Sequence, residues 1–205
     1  MMEFLGSDQD LAVRIVYALI LIWAWLIYLD LKPWNKADFV GLIRGTIAFK
    51  IAFVLAQTIA QYSVWSGNEF TRIFLTSPNT GILNFKGGYF IFYIWNRFWL
   101  SAVLGILIAW IFYKFLVFLR KYRERFLGEG EAELGLLTAL LSGWPGFVVF
   151  VPLVFVSVAL ISVIRNVFMK EKYTALGPSF LLAAAAILAF GPYFSGTFGL
   201  QLLAP

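Results

Sequence analysis

Apolar residues run through this chain in long blocks, not in alternation. Five blocks, at about residues 11–31, 39–62, 89–119, 134–164 and 174–194, are separated by short polar or charged clusters. A run of about 20 apolar residues crosses the hydrocarbon core of a bilayer as a helix, so the pattern predicts an all-α, polytopic transmembrane helix bundle of about five spans. The fourth block is longer than one crossing needs and is interrupted by Gly143-Trp144-Pro145-Gly146. That break predicts a re-entrant half-helix or a kink. The stretch 63–86, punctuated by Ser66-Gly67-Asn68 and Ser77-Pro78-Asn79-Thr80-Gly81, reads as a polar loop. Residues 89–99 read either as an interfacial arm or as the start of the third span.

Composition agrees with the pattern. The chain is 61% hydrophobic, 19% aromatic and 13% charged, with a mean hydropathy of +0.85. In 205 residues this leaves room for one integral membrane domain, spanning 1–205, and no soluble one. The formal charge of +5 is carried by cations that flank apolar runs, which reads as a topology signal and excludes nucleic acid as a partner. The acidic start, with Glu3, Asp8 and Asp10, is unlike a signal peptide, so the first helix is expected to be retained.

Placing the cluster of Arg120, Lys121, Arg123 and Arg125 inside puts the N-terminus outside. Five full crossings then bring the C-terminus inside but leave Arg165, Lys170 and Lys172 outside, against the positive-inside bias. A re-entrant 134–143 segment, with the next helix returning to the inside, removes the conflict and changes the later topology. The simple count favours five crossings.

Candidate chemistry is sparse. The chain has no His and no Cys, which removes the commonest general base, metal ligand and thiol nucleophile, so no metal or cofactor is expected. Asp30 and Asp38 flank the first turn, and the carboxylates from Glu124 to Glu133 read as part of a charged loop. Lys50 therefore stands out, because it lies near the centre of the second block with no partner in view. At about 100° per residue, Thr46, Lys50, Gln57 and Gln61 share one helical face. Lipid cannot satisfy such a stripe, so it is expected to face the interior or a hydrated cavity. The bland reading is that Lys50 is neutral or bonded to carbonyls as helix glue. The functional reading is an anionic lipid phosphate, with Arg44, Arg97 and Arg165 as further donors. Gly87 and Gly88 either turn the chain or let backbone approach a ligand.

Several segments resemble, in order, the prolipoprotein diacylglyceryl transferases, membrane enzymes that move a diacylglyceryl group from phosphatidylglycerol to a lipoprotein cysteine. Ile47-Ala48-Phe49-Lys50-Ile51-Ala52-Phe53-Val54-Leu55 is similar to that family's second-span pattern, with Lys50 where the family has arginine. Gly81-Ile82-Leu83-Asn84-Phe85-Lys86-Gly87-Gly88 is similar to the stretch leading into its paired glycines. Val163-Ile164-Arg165-Asn166-Val167-Phe168 and Tyr173-Thr174-Ala175-Leu176-Gly177-Pro178 resemble its arginine-bearing helix end and the start of its last span. The matches cover about a third of the chain. The family's histidine is absent, with Tyr89 and Tyr93 in its neighbourhood, and Leu141 to Gly146 stand where its arginine–asparagine signature would be.

The resemblance implies a phospholipid-handling protein of a bacterial inner membrane. It implies a phosphatidylglycerol-like ligand near Lys50, Arg165, Gly87 and Gly88, to which the charge and stripe readings add Arg44, Arg97 and Gln57. It implies transferase chemistry only if another group replaces the histidine; otherwise the chain binds without catalysing. The alternative is a non-enzymatic subunit, a transporter component or scaffold, whose partners are other membrane proteins.

Overall fold

A computed structural model describes residues 2–29, 36–78, 85–122, 127–128, 130–168, 176–197 and 199. Asp30, Asn79 to Asn84, Arg123 to Arg125 and Lys170 to Thr174, which figure in the sequence expectations, lie outside the described residues. The described residues form helices α1 (Met2–Leu29), α2 (Lys36–Gly67), α3 (Glu69–Thr76), α4 (Gly88–Ile94), a π-helical turn (Trp95–Trp99), α5 (Leu100–Tyr122), α6 (Glu131–Ser142), α7 (Phe147–Phe168) and α8 (Gly177–Thr197). Four segments are long and apolar enough to cross a membrane: Leu11–Leu29, Asp38–Gly67, Gly88–Tyr122 and Phe147–Val167, with Gly177–Gly191 a shorter fifth. The all-α bundle of apolar helices is thus the one the blocks predict. Residues 89–99 begin the third span, since α4, the π-turn and α5 run on as one helical rod.

Packing around α6 sets the architecture. This 12-residue helix has ten fully buried residues, among them Leu134, Leu137, Leu140 and Leu141. It is sheathed by α2, α5 and α8. Close approach needs small residues. Gly135 admits the Leu116 side chain where a Cβ would collide with it and packs on Phe180, and Gly105 of α5 meets the backbone of Gly143 and Trp144. Hence α5 and α6 are antiparallel, with residue 135 beside 116 and residue 143 beside 105.

The next contacts fix the direction of α7. Phe147 and Phe150 pack edge-on against Phe112, at 5.5 and 5.9 Å between ring centroids. Further along, Val154 and Val158 share a cavity wall with Leu116 and Leu119. As the chain moves from 143 through 147 to 158, its neighbour on α5 moves from 105 through 112 to 119. Helix α7 therefore doubles back beside α6 and returns to the end of the bundle where α5 finishes. Gly105 is the midpoint of the Gly88–Tyr122 span, so the tip of this hairpin lies about halfway along that span. Irregular backbone at that depth is tolerated only when protein covers it. Gly143 supplies the left-handed φ of 60° that the tip requires.

This arrangement departs from five full crossings and matches the re-entrant alternative. Length alone lets α7 cross, but its neighbours turn it back. The α6–α7 hairpin enters and leaves at one end, the Tyr122 end, where Tyr28 of α1 and the start of α8 also lie. Gly177 packs on the Tyr28 ring, and Tyr28 is within electrostatic reach of both Glu131 and Arg165. Arg165 and Arg120 therefore share one end, which removes the charge conflict. The chain has no cysteine, so single-cysteine probes are clean. Lys121→Cys and Asn166→Cys are expected to react with an impermeant maleimide from the same face of sealed vesicles, and Ser66→Cys from the other. Asn166→Cys labelling together with Ser66→Cys is the five-crossing result.

Two other expectations change. The supposed loop at 63–86 contains α3, whose N-terminus is capped by the Asn68 side chain accepting from Phe70 N–H at 3.0 Å. Phe70 and Ile73 project from it, exposed, between α2 and α4. Glu131 and Glu133 are not loop residues either. Each is 4% exposed in the first turn of α6, where carboxylates complement the helix's positive end. Glu131 accepts from Gly128 N–H at 2.8 Å and from Gly177 N–H at 3.0 Å, tying the start of α6 to the start of α8. Tyr113 donates to Glu133 at 3.4 Å.

Candidate functional site

Lys50 lies close to the middle of the Asp38–Gly67 span and points at the hairpin tip. A Cβ placed on Gly143 would stand 3.4 Å from Lys50 Nζ. The ammonium therefore rests beside the C-terminal end of α6, where the summed peptide dipoles leave a partial negative charge. Across from it, Tyr17 of α1 presents its ring 5.5 Å from Nζ. Lys50 is 9% exposed and Thr46 fully buried, with the Thr46 hydroxyl donating back to Leu42 O at 2.8 Å. The polar stripe read from the sequence thus faces inward.

A cavity of about 570 Å³ opens beside Lys50. Its walls bring together Lys50 and Gln57 from α2, Arg97 from the π-turn, Ser101 from α5, Tyr17 from α1, and Ser142 to Trp144 from the tip. Three of the candidate residues, Lys50, Gln57 and Arg97, converge here. The π-turn widens the rod at Trp95–Trp99 and re-aims the side chains that follow it; such one-turn insertions are common at functional sites. Two hydrogen bonds hold the walls: Trp99 Nε1 donates to Thr58 Oγ1 at 3.2 Å, and Ser101 Oγ to Trp144 O at 3.1 Å. The Ser142 hydroxyl is spent on Thr138 O at 2.9 Å. The cations in the wall are the Lys50 ammonium and the Arg97 guanidinium, with the Gln57 amide and the Tyr17 hydroxyl as further donors lining the space.

The remaining candidates lie elsewhere. Arg44 is exposed, about 9 Å along α2 from Lys50 towards the Tyr122 end. Arg165 is at that end, near Tyr28. Gly87 and Gly88 start α4, about 15 Å along the rod from Arg97. Gly87 takes a left-handed φ of 82°, where a Cβ would also crowd Leu75 O at 3.3 Å. Their role in the structure is to turn the chain tightly against α3. Sequence reasoning missed Tyr17, Ser101 and the tip residues, because only the packing of α1, α5 and α6 around α2 brings them up to Lys50.

Chemically the cavity can bind an anion. Among the described residues no carboxylate lines it, and with no histidine in the chain it lacks an ordinary general base. No family model matches the chain, and no curated protein or solved structure is detectably similar to it.

Proposed function

We propose that the protein binds the phosphate head group of an anionic phospholipid in the cavity formed by Lys50, Gln57 and Arg97, and that it binds without catalysing transfer. The observation that carries this reading is the convergence of two cations and an amide, with no carboxylate among the described residues, on one space midway along the spans. A lysine at that depth costs about 2.5–3.5 kcal/mol on insertion scales, and the partial charge of a helix end offsets only part of that. A phosphate supplies the full countercharge, through charge-assisted hydrogen bonds worth about 1.5–3 kcal/mol each. The resemblance to the diacylglyceryl transferases points to the same ligand, a phosphatidylglycerol-like lipid. The missing histidine argues for binding over transfer.

The orientation that fits the charges puts the Tyr122 end, with Arg120, Lys121 and Arg165, in the cytoplasm and the N-terminus outside. Both Met2 and Thr197 then end outside. A bacterial inner membrane follows from the family resemblance.

Native mass spectrometry of gently extracted protein tests the reading. Wild type is expected to retain phosphatidylglycerol, and Lys50→Leu combined with Arg97→Gln to lose it by at least about tenfold, the equivalent of one charge-assisted bond. Equal retention by wild type and the double variant would sink the proposal. Incubation with phosphatidylglycerol and a cysteine-bearing lipoprotein peptide is expected to give no transfer.

A further inference from the structure

The hairpin tip has a second face. Against the Ser142 to Gly146 turn lies a second cavity, of about 210 Å³, whose one charged wall residue among those described is Arg14 of α1. Its other walls are the turn itself, Val149 of α7, and Ile187, Gly191 and Phe194 of α8. The two spaces share Leu141, Ser142 and Trp144 as wall residues. Val13 and Tyr17 line the Lys50 cavity, whereas Arg14 lines this one. An arginine three residues inside an apolar span would ordinarily snorkel along the lipid face. Arg14 is instead half-buried, and its cavity is lined by the tip, α7 and α8. Among the described residues it makes no ion pair, and no carboxylate lines the space.

We infer that the Arg14 cavity is a second phosphate-binding subsite, so that two anionic groups flank the hairpin tip. Guanidinium is suited to this because its planar fork matches a phosphate bidentately. The peptide-rich turn at 142–146 adds polar wall where lipid would offer none, while Val149, Ile187 and Phe194 give an acyl chain an apolar exit. The inference stands on the Arg14 cavity and does not need the Lys50 reading. The group bound is a phosphate monoester or diester, carried by a lipid or free.

The test counts phosphatidylglycerol molecules retained by full-length protein after release from nanodiscs of phosphatidylglycerol and phosphatidylcholine. Wild type is expected to hold two, and Arg14→Gln one, with Arg14→Lys intermediate. Gly191→Leu gives an independent check. A Cβ there meets nothing within 4 Å, so the longer side chain fills the cavity while leaving Arg14 in place, and it too is expected to hold one. Inorganic phosphate added to the same phosphatidylglycerol-containing nanodiscs before release separates the sources. Competition by phosphate for the Arg14-dependent molecule supports the subsite with a free ligand, and no competition supports a lipid-borne one. Two molecules retained by both Arg14→Gln and Gly191→Leu would overturn the inference. Loss in the Arg14 variants with retention in Lys50→Leu would support it while refuting the Lys50 proposal.

Discussion

Gly146→Val is expected to destabilise the bundle by about 3 kcal/mol, the upper range of overpacking a filled interior. Thermal unfolding in detergent, followed by near-ultraviolet circular dichroism, measures it. A Cβ at 146 would stand 2.5 Å from the Ser142 carbonyl oxygen and 3.4 Å from Ile187 Cγ2. The first obstacle is backbone, which cannot rotate aside as a side chain can. Relief requires opening the turn, and that turn is held by Phe147 N–H to Gly143 O at 2.7 Å and Phe150 N–H to Gly146 O at 3.0 Å. Opening it also displaces Trp144, whose carbonyl accepts from Ser101. Gly45→Ala is the control: its Cβ meets nothing within 4 Å, and Ala in a helix interior is better than Gly by about 0.5–1 kcal/mol. A Gly146→Val protein as stable as Gly45→Ala would mean the tip is not packed as described.

Lys50→Glu and Lys50→Leu are expected to part company by about 3 kcal/mol, the glutamate variant being the less stable. Lys50→Leu removes a favourable interaction with the C-terminal end of α6, at most about 2 kcal/mol. It also removes the cost of a central charge, about 2.5–3.5 kcal/mol. The two nearly cancel, so this variant should melt within about 1 kcal/mol of wild type. Lys50→Glu keeps a buried charge and reverses its sign, so attraction to the helix end becomes repulsion of similar size. Arg97 shares the cavity and softens the penalty without abolishing it. Equal melting of the two variants would place the Lys50 side chain away from the α6 terminus.

The spans were legible because lipid selects long apolar blocks, whatever their neighbours. The inward face of α2 was legible for a related reason: lipid cannot satisfy a polar stripe, so Thr46, Lys50 and Gln57 had to share an interior. The reversal of α7 was not legible. Residues 134–164 are apolar throughout apart from the turn at Gly143 to Gly146, and that turn fits a kink as well as a hairpin. What decides between them is where Phe147 lands on α5, a contact more than thirty positions away in sequence. Glu131 and Glu133 were hidden for the opposite reason. They follow a run of charges and look solvated, yet the backbone amides of Gly128 and Gly177 hold Glu131 inside. Arg165, Gly87 and Gly88 were grouped with Lys50 by charge, by backbone freedom and by likeness to a family, none of which carries information about relative depth. The structure spreads them to the two ends of the bundle.

The central claim, that Lys50 at the hairpin tip meets a lipid phosphate, is tested most directly by solid-state nuclear magnetic resonance of the protein in phosphatidylglycerol bilayers. The measurement is the through-space coupling between lipid phosphorus and isotope-labelled lysine ammonium nitrogen. The expected result is a coupling of contact strength, corresponding to an ammonium–oxygen hydrogen bond of about 2.8 Å, that disappears in Lys50→Leu. Phosphorus coupling confined to other lysines and unchanged in Lys50→Leu would contradict it.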